Sequence, residues 1–342
     1  MIWRRLFTRA RAESGITSLM VGVSVTALFG SASIAVDLGN LWASRRHVIV
    51  ASDAAALAAA ADYAVGRDGC SSIAAEYVKS NDDKGKLTAC SPVGISRLGY
   101  VTVEAETPVD FAFASVLGVA DRTVTAKTGA SWGIPSAVRG LRPFGLCEDD
   151  PNFVAWIQNP RGISPPARIP YTNSPTDCGG APGNWAIIDL DNNAPVSEAD
   201  TDLWIRRGYQ GRVRPGNING SPGAFGNNID DAMASIIGTR FPIPVFDRVS
   251  GGNQSGGSGN SGGNGGGINA NFHVIGFVEV QLEGWRTTGS EEMRYLDVRF
   301  VESVTTGDCC EPEAIDFGLR AVHICEVEPD FNPANCLPTS QS

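Results

Sequence analysis

An uncharged, apolar segment at residues 16–36 constrains this 342-residue chain more than any other feature. A helix rises about 1.5 Å per residue, so about twenty residues span the roughly 30 Å hydrocarbon core of a bilayer. The segment therefore predicts one transmembrane helix in a single-pass protein of the cell membrane. By the positive-inside rule, basic residues before it predict a cytoplasmic tail at residues 1–15, with everything after Asp37 outside the cytoplasm. These basic residues are Arg4, Arg5, Arg9 and Arg11.

A cleaved secretory signal is the alternative interpretation of the same segment. Gly30, Ser31, Ala32 and Ser33 supply the small side chains that a signal-peptidase site requires. Two observations favour a permanent anchor. The apolar run is longer than a usual signal core, and the helical pattern continues through the small residues without a break.

Small side chains recur at every fourth position of the apolar segment and so share one helical face. They are Ser18, Gly22, Thr26 and Gly30. Such a stripe lets a second helix approach closely, which predicts a helix-docking face. Small residues are also common in membrane helices in general, so the stripe has a neutral interpretation as well.

Composition limits what the rest of the chain can be. Forty glycines and twenty prolines favour turns and strands over long helices. A net charge of −10 argues against nucleic acid and anionic lipid as main partners of the soluble part, because both require a basic surface. The predicted fold class is α+β: a transmembrane helix continuing into a long helix, a small α/β lobe, and a larger β-rich lobe stapled by disulfides.

Two lobes are predicted, at residues 37–135 and 140–338. Helical spacing continues the membrane helix to about residue 65, where Gly66 ends it. Residues 250–267 are mostly Gly, Ser and Asn, a composition too polar to offset the entropy of ordering, which predicts a mobile loop. The other elements predicted in the first lobe are a helix at 71–80, a helical turn at 111–117, and strands at 100–106 and 123–132. Those in the second lobe, expected to form an antiparallel sheet, are strands at 185–190, 243–246, 272–282, 293–301 and 317–325, and helices at 198–207 and 230–237.

All eight cysteines follow the apolar segment, in the part predicted to be exported. Their even number, without any C-x-x-C pair, predicts structural disulfides and not a zinc site. Neighbouring residues lie about 3.8 Å apart across a trans peptide, which predicts that adjacent Cys309 and Cys310 each pair with Cys325 or Cys336. Sequence alone does not determine connectivity, and local pairing is the simplest choice for the remaining cysteines. Those pairs are Cys70 with Cys90 and Cys147 with Cys178.

One segment resembles the calcium-binding loop of an EF-hand. The matching residues, at loop positions 1, 3, 5, 9 and 12, are Asp189, Asp191, Asn193, Ser197 and Asp200. The loop departs from the pattern at position 6, where Ala194 replaces glycine, and at position 12, where Asp replaces the bidentate Glu. Ser197 and Asp200 equally fit a helix N-cap with an acidic first turn. We therefore predict no metal site and keep calcium as an alternative.

The sequence offers little catalytic chemistry. Ser261 lies in a G-x-S-x-G match, but within a low-complexity run that no strand precedes, so the match is treated as accidental. His273 and His323 fall in predicted strands and are interpreted as core or surface residues. The chain is expected to be non-enzymatic, with no catalytic residue and no cofactor.

Three features in order carry a resemblance to a known family. An Arg-rich start with Glu13, Ser14 and Gly15 leads into the apolar segment, which ends in Ile-Ala-Val-Asp-Leu-Gly at residues 34–39. Ser52, Asp53 and the alanine-rich run at 54–61 follow. This combination resembles the N-terminal region of the TadE/TadG-like family of Flp pilus-assembly proteins. A looser similarity to TadG-like proteins extends over residues 107–132, 140–147 and 243–247.

The resemblance implies a bitopic component of Flp pilus assembly whose partners are other membrane and exported pilus-assembly proteins. It carries over no catalytic residue, and it leaves the oligomeric state open. The fifth residue after Gly15 is Met20, whereas processed pseudopilins have glutamate there, so the sequence favours a permanently anchored assembly role. The alternatives are a secreted or tethered binding module or adhesin, in which calcium binding would fit, and a secreted hydrolase using Ser261.

Overall fold

The computed structural model combines helices and sheets with a long apolar N-terminal helix and a disulfide-rich β region. It describes residues 3–95, 97–118, 120, 122–158, 162–170, 178, 187–193, 196–220, 229–250, 270–287, 293–305, 307–311, 313–327 and 332–336. Ser261, and the predicted loop at 250–267 apart from Ser250, lie outside these ranges.

Regular secondary structure in these ranges comprises α-helices, short 3-10 helices and strands. The α-helices are α1 (Trp3–Ala64), α2 (Cys70–Asn81), α3 (Pro151–Ile157), α4 (Glu198–Arg207) and α5 (Ile229–Ile236), and the 3-10 helices are Ala114–Leu117 and Pro333–Cys336. The strands are β1 (Lys86–Ile95), β2 (Leu98–Val109), β3 (Arg122–Gly133), β4 (Ala137–Val138), β5 (Leu146–Cys147), β6 (Ala167–Pro170), β7 (Gly216–Asn219), β8 (Arg240–Ser250), β9 (Asn271–Arg286), β10 (Tyr295–Val301), β11 (Ser303–Thr305), β12 (Gly307–Asp308) and β13 (Leu319–Val327).

Helix α1 runs unbroken for 62 residues from the basic start through the apolar segment and the alanine-rich run. Gly66 follows its end with a positive φ of 76°, a conformation that glycine adopts without steric cost. From Gly15 onward, α1 is long and apolar enough to cross a membrane, and its most apolar 18-residue window has a mean hydropathy of 2.0. None of that window is buried within the described part of the chain, as a lipid-facing segment requires.

A five-stranded sheet packs against the C-terminal half of α1, with strand order β1-β2-β3-β13-β11. Side chains of β2 alternate between buried and half-buried along most of the strand, which places Val101, Val103 and Ala105 on the helix-facing side. Trp132 of β3 is fully buried and stacks on Tyr63 of α1 with ring centroids 5.5 Å apart. This sheet, α1 and α2 share one hydrophobic core.

The position of β13 corrects the predicted boundary between the lobes. The sequence pattern predicts that residues 317–325 belong to the second lobe, whereas β13 lies in the first sheet, antiparallel to β3 and parallel to β11. The paired residues Ala321 and Gly133 are almost two hundred positions apart in the sequence. An alternating pattern predicts a strand but does not name its neighbour, so the boundary could not be located from sequence.

A second sheet is ordered β5-β8-β9-β10-β6, with β7 also paired to β9. Helix α3 begins at the N-cap Asp150, whose carboxylate accepts hydrogen bonds from the backbone N–H groups of Asn152 and Phe153. Phe153 is fully buried, and its ring lies 5.1 Å from that of Phe300 and 5.4 Å from that of Phe317. These aromatic contacts anchor the second core, which α5 completes.

One strand predicted in this region is not a regular strand. In the described part of residues 185–190, Ile187 and Ile188 form only isolated bridges, to Phe144 and Gly220. Both isoleucines are nevertheless buried, which accounts for the apolar pattern behind the prediction. Helix α4 has the predicted bounds, because Ser197 caps its start and Gly208 follows its end.

Disulfides join Cys70 to Cys90, Cys147 to Cys178, Cys309 to Cys310 and Cys325 to Cys336. The prediction for the last four cysteines was therefore wrong. The 3-10 helix at Pro333–Cys336 packs on β13 and brings Cys336 within 4.9 Å of Cys325, measured between Cα atoms. Cys309 and Cys310 are joined by a cis peptide, with Cα atoms 3.0 Å apart, and pair with each other.

Candidate functional site

The predicted docking face on α1 is open. Ser18, Gly22, Thr26 and Gly30 are all exposed, and a Cβ atom placed on Gly22 or Gly30 would meet no other atom within 4 Å. The Thr26 hydroxyl donates to the Gly22 carbonyl at 2.9 Å, so its hydrogen-bonding need is met within the helix. The face therefore has the shape that close approach of a second helix requires.

Asp37 connects the end of the apolar segment to the folded part. The residue is 7% exposed, and its carboxylate accepts hydrogen bonds from the backbone N–H groups of Ala112 (2.8 Å) and Ala114 (2.6 Å). The N–H of Phe113 also donates to it, at 3.2 Å from each oxygen. These donors stand at the start of the 3-10 helix Ala114–Leu117, where backbone N–H groups lack partners of their own. Asp37 thus holds this turn against α1 close to the predicted membrane surface.

Ser52 and Asp53 connect α1 to the sheet. The Thr128 hydroxyl on β3 donates to Asp53 Oδ1 at 2.7 Å, and it lies 2.8 Å from the Ser52 hydroxyl oxygen. Ser52 and Thr128 are both buried, so this small polar network aligns helix and strand where water is excluded. Burial raises the pKa of Asp53, and the hydrogen bond from Thr128 partly offsets that rise.

The alanine-rich run allows the helix to approach the sheet closely. Ala55, Ala56, Ala59 and Ala60 are all 0% exposed. Only small side chains permit such close contact between a helix and its neighbours, since protein interiors leave little free space. Asp37, Ser52, Asp53 and these alanines form the N-terminal signature of α1. Their hydrogen bonds and close packing hold the apolar helix rigidly against the folded part. Gly39, by contrast, has open space around it and no packing role within the described chain.

A second feature is a cleft of about 950 Å³ between the two sheets. His273 of β9 and His323 of β13 both line it, although they are fifty residues apart in sequence. His273 Nδ1 lies 2.7 Å from Asp247 Oδ1. His323 Nδ1 is buried without a hydrogen-bond partner, and burial lowers the pKa of this imidazole. The predicted placement of both histidines in strands agrees with the structure, but the shared cleft could not be seen from sequence.

The cleft has no evident catalytic or metal constellation among the described residues. Cys309, Cys310 and His323 offer ligand atoms within 4.8 Å of one another, yet sulfurs bonded to each other are not the thiolates that metals require. Ser131 lines the same wall, and its hydroxyl donates to the Cys336 carbonyl at 3.1 Å.

The residues of the EF-hand-like loop separate into two groups. Asp189 is fully buried, while Asp191 and Asn193 are exposed on the adjoining turn. Asp200 lies in the first turn of α4, where its carboxylate accepts a hydrogen bond from Ser197 at 2.6 Å and its own N–H donates back to that hydroxyl. Those two residues form the alternative helix cap, and Ala194 and Pro195 fall outside the described ranges.

Comparison of the chain with protein-family models, curated proteins and solved structures finds no match. The signature residues on α1 are recognisable in the sequence. Their hydrogen-bond partners, Thr128 and the backbone N–H groups of residues 112–114, are not. A polar residue in a strand and a short turn carry no local signal that they face a helix more than seventy residues earlier.

Proposed function

We propose that this protein is a non-enzymatic, membrane-anchored component of Flp/Tad-type pilus assembly. It acts by docking α1 against another membrane helix and by presenting its folded part to other exported proteins. One observation carries the proposal: α1 passes without a break from an exposed apolar segment into a buried core. The residues that fasten it there belong to the signature resembling the TadE/TadG-like family.

This continuity has a mechanical consequence. A helix held at Asp37, at the Ser52–Asp53 pair and along the buried alanines cannot swing freely relative to the sheet. A partner that grips the open face of α1 in the membrane would set the orientation of the folded part as well. Such rigid coupling suits a scaffold that positions exported subunits at an assembly site.

Affinity purification from gently solubilised membranes tests the proposal, with mass spectrometry of co-purifying proteins and of the protein's own N-terminal peptides. We expect pilus-assembly ATPase or platform proteins in the eluate, and recovery of peptides that precede Ile16. A protein that elutes alone and begins near Ile34 would refute both the anchor and the pilus role.

A matched pair of variants tests the docking face. Gly22→Leu fills the small-residue stripe, whereas Ser24→Leu places the same side chain on the opposite side of the helix, and both positions are exposed. We expect Gly22→Leu to lose the co-purifying membrane partners and Ser24→Leu to retain them, because only the first blocks close helix approach. Equal recovery from both variants would show that the stripe is not the docking face.

A tethered binding module is the second candidate, and the cleft between the sheets favours it. Its volume of about 950 Å³ lies within the range of small-molecule sites, and its walls combine histidines with apolar side chains such as Val274 and Ile275. In that case the protein remains membrane-bound without any pilus component. Substitutions lining the cleft, and not those on α1, would then abolish its binding.

A further inference from the structure

Asp189 is the most unusual charged residue in the described part of the chain. Its relative exposure is 0%, and neither carboxylate oxygen makes a hydrogen bond of ordinary geometry. The backbone N–H groups of Asp191 and Asn192 face the carboxylate and give it only partial compensation. A buried carboxylate that is only partly compensated is costly, and either a proton or a bound cation would remove that cost.

Neighbouring side chains increase this cost. The Asp191 carboxylate lies beside that of Asp189, so a second negative charge would add to the cost of burying the first. The described residues place no Lys or Arg side chain in an ion pair with either carboxylate. Two adjacent carboxylates with no basic partner can share a proton or bind a cation.

Hydrogen bonds within the protein hold the turn around Asp189 in place without a bound ion. Asp189 N–H donates to the Asn219 carbonyl at 2.8 Å, and Asn219 N–H donates to Asn192 Oδ1 at 3.0 Å. Asn193 N–H donates to Asp191 Oδ1 at 3.1 Å. The turn is thus fixed to β7, with Asp191 on its solvent side and Asp189 beneath.

We propose that Asp189 and Asp191 bind one calcium ion. Every side-chain donor here is an oxygen, the ligand type that hard cations prefer. Calcium tolerates irregular coordination completed by water, whereas magnesium demands near-ideal octahedral geometry and dehydrates reluctantly. The site differs from an EF-hand, because Asp200 is committed to the cap of α4. It is independent of the pilus proposal, since it involves neither α1 nor its signature.

Calcium titration of the detergent-solubilised full-length protein tests the site, by calorimetry and thermal unfolding after removal of metals with EDTA. We expect a Kd of about 10⁻⁴–10⁻³ M, as in extracellular calcium modules. About 10 mM CaCl₂ is then expected to raise Tm by about 3–11 °C, because a ligand that binds only the folded state stabilises it by mass action. Magnesium at the same concentration is expected to give less than half of that shift.

Substitutions identify the ligands. Asp189→Asn and Asp191→Asn are expected to abolish the calcium-dependent shift, and Asp189→Asn also to keep or raise Tm in EDTA because it removes an uncompensated charge. Asp68→Asn, at an exposed position in the turn after α1, is the matched control and is expected to retain the shift. Asp200→Asn is likewise expected to retain it.

Three results would overturn the proposal. Wild-type Tm could be the same in EDTA and in calcium while varying with pH near neutrality, which would mean that the two carboxylates only share a proton. The shift could persist in both Asp189→Asn and Asp191→Asn, which would place the ion elsewhere. It could vanish in Asp200→Asn, which would restore the EF-hand interpretation.

Discussion

Replacing Ala59 by Leu is expected to destabilise the protein by loosening α1 from its sheet. Ala59 is 0% exposed in the core that α1 shares with the first sheet, so the three added carbon atoms have no free space to occupy. Overpacking of this kind costs about 1–3 kcal/mol. At about 2–4 °C per kcal/mol for domains of this size class, Tm is expected to fall by about 2–12 °C.

Scanning calorimetry of the solubilised protein measures this change, and Ala58→Leu is its control. Ala58 lies on the same helix but is only partly buried, so the change in helix propensity is the same while the steric cost is smaller. Equal Tm values for the two variants would refute the reasoning. The alanine run would then serve helix propensity alone and not close packing.

Three other perturbations probe separate parts of the structure. Burial lowers the pKa of His323 below its ordinary 6.5, so below about pH 6.5 the unfolded chain takes up a proton on this imidazole more readily than the folded chain does. The free energy of unfolding is therefore expected to fall as pH drops below about 6.5. In urea titrations at several pH values, His323→Gln is expected to weaken this dependence of the unfolding free energy on pH. Replacing Cys147 and Cys178 together by Ser is expected to lower the free energy of unfolding by about 3–4 kcal/mol, because their disulfide closes a loop with a sequence separation of 31. Identical denaturation curves for the variant and the wild type would contradict this. Asp37→Ala is expected to speed hydrogen exchange of the amides at 112–114 while leaving those of β3 unchanged, and mass spectrometry reads both.

Local signals predicted much of the secondary structure. Helix α4 has its predicted bounds because a serine cap and a following glycine are properties of adjacent residues. Helix α5 and strands β8, β9 and β10 lie within a few residues of their predicted ranges, since their apolar periodicity is also local. The β1 strand escaped prediction because most of it is exposed or half-buried, which leaves little apolar alternation to detect.

The candidate site shows where local reasoning ends. The signature on α1 is visible in the sequence. It holds the helix against the folded part through hydrogen bonds with Thr128 and with the backbone at residues 112–114, and only the tertiary fold brings these groups next to α1. In the sequence, Asp189 stands out only as part of an EF-hand-like loop pattern. Its complete burial, and the separation of Asp200 from it, follow from how the turn packs on β7 and how α4 begins.

The sequence by itself determined the apolar helix, its continuation through the alanine run, and the alternating strands. Each of these depends only on how apolar residues are spaced along one continuous segment. Tertiary structure alone decided that β13 joins the first sheet and that the two histidines share a cleft. Those outcomes depend on strand neighbours and registers between distant segments. Many pairings satisfy the same hydrophobic pattern, and only packing of the whole chain selects one of them.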